Sequence, residues 1–319
     1  MRTAVVILNW NTREYLRRWL PSLIASCEGR DAEVIVADSG SSDDSLPMLS
    51  QEFPSVRQIP LGGNFGFTGG YNRALQQVDA EFYVLINSDI EVSAGWLDPL
   101  LGWMDSHPEC GICGPKLLSM HDRKRFEYAG AAGGYLDFFG FPYCRGRVLS
   151  KTATDNGQFD SPAQVAWVSG ACLMVRSSLW KQLGGLDDRF FAHMEEIDLC
   201  WRAASLGQEV WCVPQSEVWH LGGGTLPQNS PHKLMLNFRN NLLMLDSNLP
   251  RGRRFVLGIR KVLDIFAAAA YLCTGKTASA KAVFSAHRQY RELRRSPADE
   301  NRINLLGSRL LIIEYLKLQ

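Results

Sequence analysis

Four short strand-like runs, at residues 3–8, 34–37, 56–59 and 82–86, are separated by stretches whose apolar residues recur at helical spacing. Between the first two, Tyr15, Leu16, Trp19, Leu20, Leu23 and Ile24 mark one helix face, with Thr12 as a candidate N-cap. A second, short helix follows residue 43. A third is predicted from the glycine-rich stretch 62–72 to about Val78. This β-α-β-α-β-α-β order with short connections admits few folds. It predicts an α/β domain with a mostly parallel sheet, right-handed crossovers and helices on the flanks. In such sheets ligands bind beyond the carboxyl ends of the strands.

Past residue 86 the pattern loosens. A helix is predicted from Gly95 to about Asp105, then a strand over 110–115. Residues 120–165 are rich in Gly, Tyr and Phe with weak periodicity, which reads as an insertion or hairpin region lining a site. A strand-like run over 165–175, a helix over 195–206, and short strands at 210–213 and 217–219 follow. A helix over 231–246 comes next. Then Phe255, Val256, Ile259, Val262, Leu263, Phe266 and Tyr271 form an apolar stripe on another helix, and helices near 277–294 and 301–317 finish the chain. The expected organisation is a body over 1–248, divided into halves 1–115 and 116–248, and a helical extension over 249–319.

The formal charge of +1 over 319 residues gives no reason to expect a nucleic-acid binder. The average hides a basic segment. Between 251 and 295 stand Arg251, Arg253, Arg254, Arg260, Lys261, Lys276, Lys281, Arg288, Arg291, Arg294 and Arg295, against Asp264 and Glu292. Either these helices pack on the body, or they lie on an anionic leaflet. Cys110 and Cys113 have the spacing of half a zinc site, but no second such pair follows. Most cysteines sit in apolar runs, as reduced structural thiols of a cytosolic protein do. A strand begins at once after Met1, so no signal peptide is expected, and no uncharged apolar run reaches the eighteen residues of a membrane span.

Chemistry-bearing residues gather at the predicted strand ends. Asn87, Ser88 and Asp89 follow the fourth strand, where a carboxylate can hold Mg²⁺ or Mn²⁺ or simply close a turn. Asp38 and Gly40, in Asp38-Ser39-Gly40-Ser41-Ser42-Asp43, can meet a base or ribose, or cap a turn. Asn64, Gly66, Gly69 and Asn72 open the third helix, whose N–H groups favour phosphate oxygens; a purely structural turn is the alternative. Glu195, Glu196 and Asp198 begin a helix beside aromatics, as capping acids or as a base held in a partly desolvated cleft. His220 ends a short strand before Gly222-Gly223-Gly224-Thr225, a candidate metal ligand ahead of a glycine loop.

In their shared order over residues 3–245, these motifs resemble the inverting family 2 glycosyltransferases of GT-A (Rossmann-like) fold, and most closely bacterial rhamnosyltransferase-like members that build cell-surface polysaccharides. The resemblance implies that Asn9, Asn11, Asp38, Gly40, Asn64, Gly66, Gly69, Asn72, Asn87 and Ser88 meet a dTDP- or UDP-sugar. It implies that Asp89 and His220 bind Mg²⁺ or Mn²⁺, and that Trp167, Ser169 and Gly170 lie on the side of a saccharide or lipid-linked acceptor. Glu196 stands where the family has its base, supported by Glu195 and Asp198, and Arg239-Asn240-Asn241 resembles the family's Arg-Asn helix. Two positions depart from the family: Asn87 replaces the first Asp of its Asp-x-Asp motif, and Glu196 replaces the usual Asp, adding a methylene. A cytoplasmic enzyme, peripheral at the inner membrane, is implied. A sugar-phosphate nucleotidyltransferase would share the sheet but want a basic Gly-x-Gly-x-Arg loop after the first strand, where Asn9-Trp10-Asn11-Thr12 stands. A non-catalytic membrane scaffold would keep the fold and lose the chemistry.

Overall fold

The computed structural model describes residues 1–222, 230–295, 302–308 and 310–311. Strands β1 (Thr3–Asn9), β2 (Ala32–Asp38), β3 (Arg57–Pro60) and β4 (Phe82–Ile86) are joined by helices α1 (Arg13–Cys27), α2 (Ser45–Glu52) and α3 (Gly66–Leu75). They pair in parallel in the order β3-β2-β1-β4. Successive residues of a strand face opposite sides of the sheet. Accordingly Ala4, Val6, Ile35, Ala37, Tyr83 and Leu85 enter one core, while Val5, Ile7, Val34, Val36, Val84 and Ile86 enter the other. With helices covering both faces, the strands read as unbroken apolar runs.

After β4 come β5 (Ile90–Val92), α4 (Leu97–Ser106) and β6 (Cys110–Ser119). The 120–165 region contributes β7 (Gly134–Leu136), β8 (Pro142–Cys144), β9 (Arg147–Val148) and β10 (Lys151–Thr152), a separate four-stranded antiparallel sheet, and then β11 (Ala163–Gln164). The run over 165–175 is not one strand. Only β12 (Cys172–Arg176) is extended, because Ser169 Oγ accepts from Ala171 N and turns the chain before it. β12 inserts antiparallel between β4 and β6, so the second half of the sheet is mixed, while β6 and β13 pair in parallel as the first four strands do, within the mostly parallel sheet expected.

Helices α5 (Ser177–Leu183) and α6 (Glu195–Ser205) precede β13 (Glu209–His220), a single strand where two were expected. Its register against β6 shifts between Cys212 and Glu217, the stretch holding Pro214, which has no N–H for the ladder. Helices α7 (Pro231–Asn248), α8 (Arg253–Cys273) and α9 (Thr277–Leu293) complete the described fold, with Val256, Leu257 and Tyr290 of the last two in the same core as the sheet. The helix expected over 301–317 falls partly outside the described residues. The described 302–308 is not helical, and Leu306 bridges to Leu136 at the edge of β7.

Candidate active site

Sheet pairing brings Asp89 and His220 together. β5 runs antiparallel to the end of β13, with Ile90 opposite His220, and Leu221 N donates to Asp89 O. His220 Nε2 lies 3.2 Å from Asp89 Oδ1, and its Nδ1 lies 3.3 Å from Glu127 Oε1, with the three side chains 7–9% exposed. Burial alone would lower the imidazole pKa, but Glu127 and Asp89 push it up to about 10. Burial opposes the charge on Asp89, yet His220 and the N–H groups of Asp89 and Gly222 hold its carboxyl below the usual range. The cluster therefore asks for positive charge.

A divalent cation fits that demand. Two ligand atoms about 2.1 Å from one ion and at a right angle to each other would stand about 3 Å apart, close to the Asp89–His220 separation. Among the described residues no group of three or more His, Cys, Asp or Glu is arranged to hold a metal. Two protein ligands with the remaining positions open to phosphates and water is the habit of Mg²⁺ and Mn²⁺ rather than of a structural zinc site. Cys110 and Cys113 are buried in β6 and belong to the core. Glu127 was not anticipated. It comes from the aperiodic insertion, and its one signal is a carboxylate set between Phe126 and Tyr128.

Around the carboxyl ends of β1 and β2 runs a closed network. Asn9 Nδ2 donates to Asp38 Oδ2 at 2.6 Å and to Ser41 Oγ at 3.0 Å. Asp38 Oδ1 accepts from Gly40 N and Ser41 N, and Asn11 Oδ1 accepts from Ser42 N. Asp38 is 1% exposed and thus shapes the loop from beneath, the turn-closing alternative. Gly40, at φ +77°, allows that loop to press on Gly63: a Cβ there would come within 3.0 Å of the Gly63 backbone. Thr12 occupies the N-cap position of α1, as expected, but its side chain makes no capping bond. Its hydroxyl donates to Asn9 Oδ1 and approaches Ser88 Oγ at 2.8 Å, linking this network to Asp89's neighbour.

The glycine-rich stretch is held by contacts within the fold. Asn64 Oδ1 accepts from Gly66 N, and Phe191 O accepts from Thr68 N, so two of the N–H groups at the start of α3 are already engaged. Gly66, Gly69 and Gly70 are close-packing positions, set against Phe191, the Phe65 and Arg73 side chains, and Leu8 respectively. Asn72 is structural as well. It donates to Leu186 O and Asp188 Oδ1 and accepts from Leu186 N.

What α3 touches is the segment leading into the acidic helix. Phe191, His193 and Met194 all adopt positive φ, an arrangement that persists only where the surroundings enforce it. The enforcing groups are on α7. Asn240 Nδ2 lies within hydrogen-bonding distance of Phe190 O, Ala192 O and His193 O, and Arg239 Nη2 donates to Arg189 O and Phe190 O. Directly after this segment, Glu195 and Glu196 each carry an Oε2 without a hydrogen-bond partner. Burial pushes the Glu196 carboxyl up to about 7, and burial together with Glu196 pushes Glu195 well above the ordinary range. Asp198 turns the other way, bonded to Arg202 at 2.7 Å and to Asn248 at 2.7 Å, and ties α6 to α7.

Glu196 packs beside Gly170, whose added Cβ would meet Glu196 Cβ at 3.5 Å, and the next residue, Ala171, accepts from Asn87 N. The base candidate and the Asn87–Asp89 motif thus flank the 170–171 turn. The buried Cys144 thiol feels both Glu127 and Glu196. Trp167 is a core residue, 2% exposed, with its Nε1 donating to Tyr135 O and its ring against Gly134, and Ser169 is likewise buried. Lys233, at the start of α7, was also missed. Burial lowers its pKa, and the charge of Glu127 acts against that. Gly223, Gly224 and Thr225 of the glycine loop lie outside the described residues.

The sequence matches the profile of Glycosyl transferase family 2 over residues 4–183. It is 31% identical over 231 residues to the N-acetylglucosaminyl-diphospho-decaprenol L-rhamnosyltransferase of Mycobacterium tuberculosis (strain CDC 1551 / Oshkosh), covering 68% of this chain and 75% of that protein. The fold is similar to GalNAc-T7 with UDP, GalNAc and Mn²⁺, at TM-score 0.59 and 15% identity, over 78% of this chain and 48% of that one. It is also similar to the mannosyltransferase PcManGT from Pyrobaculum calidifontis with GDP-Man and Mn²⁺, at TM-score 0.54 and 14% identity, over 91% of this chain and 87% of that one.

Proposed function

The chain belongs to glycosyl transferase family 2, and from that premise we propose that it is an inverting, metal-dependent rhamnosyltransferase of bacterial cell-surface polysaccharide synthesis. Its donor is a dTDP- or UDP-sugar, dTDP-L-rhamnose first among them, and its acceptor a saccharide or lipid-linked glycan met at the cytoplasmic face of the inner membrane. Likeness to the mycobacterial L-rhamnosyltransferase supports the sugar and the lipid carrier. The observation that carries the reading is that Glu196, whose Oε2 lacks a hydrogen-bond partner, packs on Gly170, while the adjoining Ala171 accepts from Asn87 N, two residues before the Asp89 that meets His220.

Asp89 and His220 would hold Mn²⁺ or Mg²⁺, which when bound supplies positive charge against the leaving nucleoside diphosphate. Asn9, Asn11, Asp38, Gly40 and Ser88 form the donor pocket, with Asp38 acting through the loop it orders. Asn87 faces the donor beside Asp89. Glu195 and Glu196 titrate as a pair, and shared repulsion keeps one proton between them near neutrality. Glu196 is the member that takes the proton of the acceptor hydroxyl while that oxygen attacks the anomeric carbon opposite the leaving group. Direct displacement inverts the configuration. Residues 1–248 form the transferase body in this reading, and 249–319 the extension.

Calorimetry over a panel of nucleotide sugars, with and without Mn²⁺, tests the donor. NMR of the product's anomeric proton tests the stereochemistry. Mn²⁺-dependent binding of dTDP-L-rhamnose and an inverted product are expected. Binding of every donor unaffected by chelation, or a retained configuration, would sink the reading.

A further inference from the structure

Helix α8 is built inside out. Its buried residues include Arg260 and Asp264, at 3% and 2% exposure, together with Val256 and Ala268 on the same face. Arg260 stacks 3.5 Å from the Phe141 ring centroid, and Asp264 meets Arg260 at 3.8 Å and His287 at 3.0 Å. The opposite face is apolar and open. Phe255 is 63% exposed, Val262 51%, Ile265 58%, Phe266 67% and Leu272 52%, and Phe284 of α9 is 57% exposed. At about 100° per residue, 255, 262, 266 and 273 fall on one line along the helix, with 258, 265 and 269 beside it. A surface helix that faced only water would present the reverse pattern.

The charges around this face choose its occupant. Exposed Arg254 and half-buried Lys261 border the stripe on one side, Arg251 and Lys276 are exposed just before α8 and α9, and Lys281 and Arg288 are exposed on α9. Of the two acidic residues between 251 and 295, Asp264 is buried, and Glu292 lies 3.9 Å from Arg288. An apolar strip with an almost purely cationic margin complements an anionic lipid surface, apolar to the acyl chains and cationic to the headgroups. Among the described residues no helix is long and apolar enough to cross a membrane, so α8 would lie in the interface plane.

We propose that the outward face of α8, continued by Phe284 of α9, is the surface on which this protein rests on an anionic membrane leaflet. The inference deepens the transferase reading by naming where a lipid-linked acceptor is met, but it does not need catalysis to be tested. Cys273, at the end of the stripe, is the one exposed cysteine among the described residues and accepts an environment-sensitive fluorophore. On phosphatidylcholine vesicles containing phosphatidylglycerol, the labelled full-length protein should co-sediment and its emission shift to the blue. Pure phosphatidylcholine should give neither result, and added salt should weaken both. Replacing two exposed phenylalanines, F255S/F266S, should lower partitioning about tenfold or more while activity on a water-soluble acceptor is kept. Reversing charge in R254E/K281E should remove the preference for anionic lipid.

Absence of co-sedimentation overturns the proposal. So does concentration-dependent dimerisation that F255S/F266S abolishes, which would assign the face to a second copy. A label already shielded in the vesicle-free monomer would assign it to the chain's own residues 312–319 and overturn the proposal equally. Vesicle binding without any sugar transfer would leave this inference standing and sink the transferase reading instead.

Discussion

His220 stands between two carboxylates, its Nε2 3.2 Å from Asp89 and its Nδ1 3.3 Å from Glu127. With the imidazole pKa pushed up to about 10, the metal-free protein carries a proton where a bound cation would place its charge. In the proposed reading, metal and proton would therefore compete. At pH 7.5, Mn²⁺ binding should release about one proton per ion, because a ligating imidazole must be neutral and Asp89 is already ionised. Calorimetry in buffers of differing ionisation enthalpy reads that number. H220Q should bind Mn²⁺ at least tenfold more weakly and release none. The same shift has a stability consequence. A folded pKa above the unfolded value of about 6.5 contributes stability that is fully present below it and is lost as pH rises toward 10. Thermal melts in chelator should show that loss in the wild type and a flatter profile in H220Q.

Glu196 is the group whose protonation sets the rate in this reading. Its carboxyl, raised to about 7 by burial, must be ionised to accept a proton, so kcat should rise with pH through about 7 and then level. E196Q should lower kcat by about 10²–10⁴-fold while the donor Kd stays unchanged. E195Q, which replaces the protonated neighbour by a neutral amide, should leave the acidic limb near pH 7. A profile flat from pH 5 to 9 would remove Glu196 from the role.

How much of this could be read from residues alone follows from which contacts are local. β1 and β4 were legible because a strand buried on both faces leaves an unbroken apolar run. The Asp89–His220 pair was legible only through the shared order of motifs, since 131 positions separate the two and the strand pairing that joins them has no local signature. Glu127 arrives from an insertion without periodicity, and nothing in its neighbours says which strand end it will face. Asn72 and Gly66 have packing partners that their own stretch does not announce, for a common reason. Residues suited to binding a phosphate are equally suited to packing one backbone against another, and here their partners, Leu186, Asp188 and Phe191, are more than a hundred residues away.

Gly66 shows what that close packing costs to disturb. It sits at φ +69°, and an added Cβ would lie 2.5 Å from the Phe191 ring and 2.6 Å from the Phe191 carbonyl oxygen. G66A should destabilise the fold by about 2–4 kcal/mol, combining backbone strain with a clash against main chain. Gly29 is the control. At φ +71° with nothing within 4 Å of its built Cβ, G29A should cost only about 1–2 kcal/mol. Urea unfolding of both variants checks the difference, and equal losses would show that the Phe191 segment yields freely.

Asn240 is the residue that should decouple chemistry from binding. Its amide lies 2.9 Å from Phe190 O, 2.7 Å from Ala192 O and 2.7 Å from His193 O, and the segment those carbonyls belong to delivers Glu195 and Glu196 from a left-handed turn at Met194. N240A leaves the carbonyls short of a buried donor, at a cost of about 2–4 kcal/mol. The turn would then relax, and a shift of about 1 Å in Glu196 is enough to lose roughly a hundredfold in rate. Asp89, His220 and the Asn9–Asp38 network belong to other elements, so the donor KM should hold while kcat falls. The acidic limb near pH 7 should also move down as Glu196 gains water. N240D, which keeps the shape but lacks the donating amide, should behave as N240A does. If N240A lost stability yet kept both kcat and its pH profile, Asn240 would be holding the fold together without positioning the base.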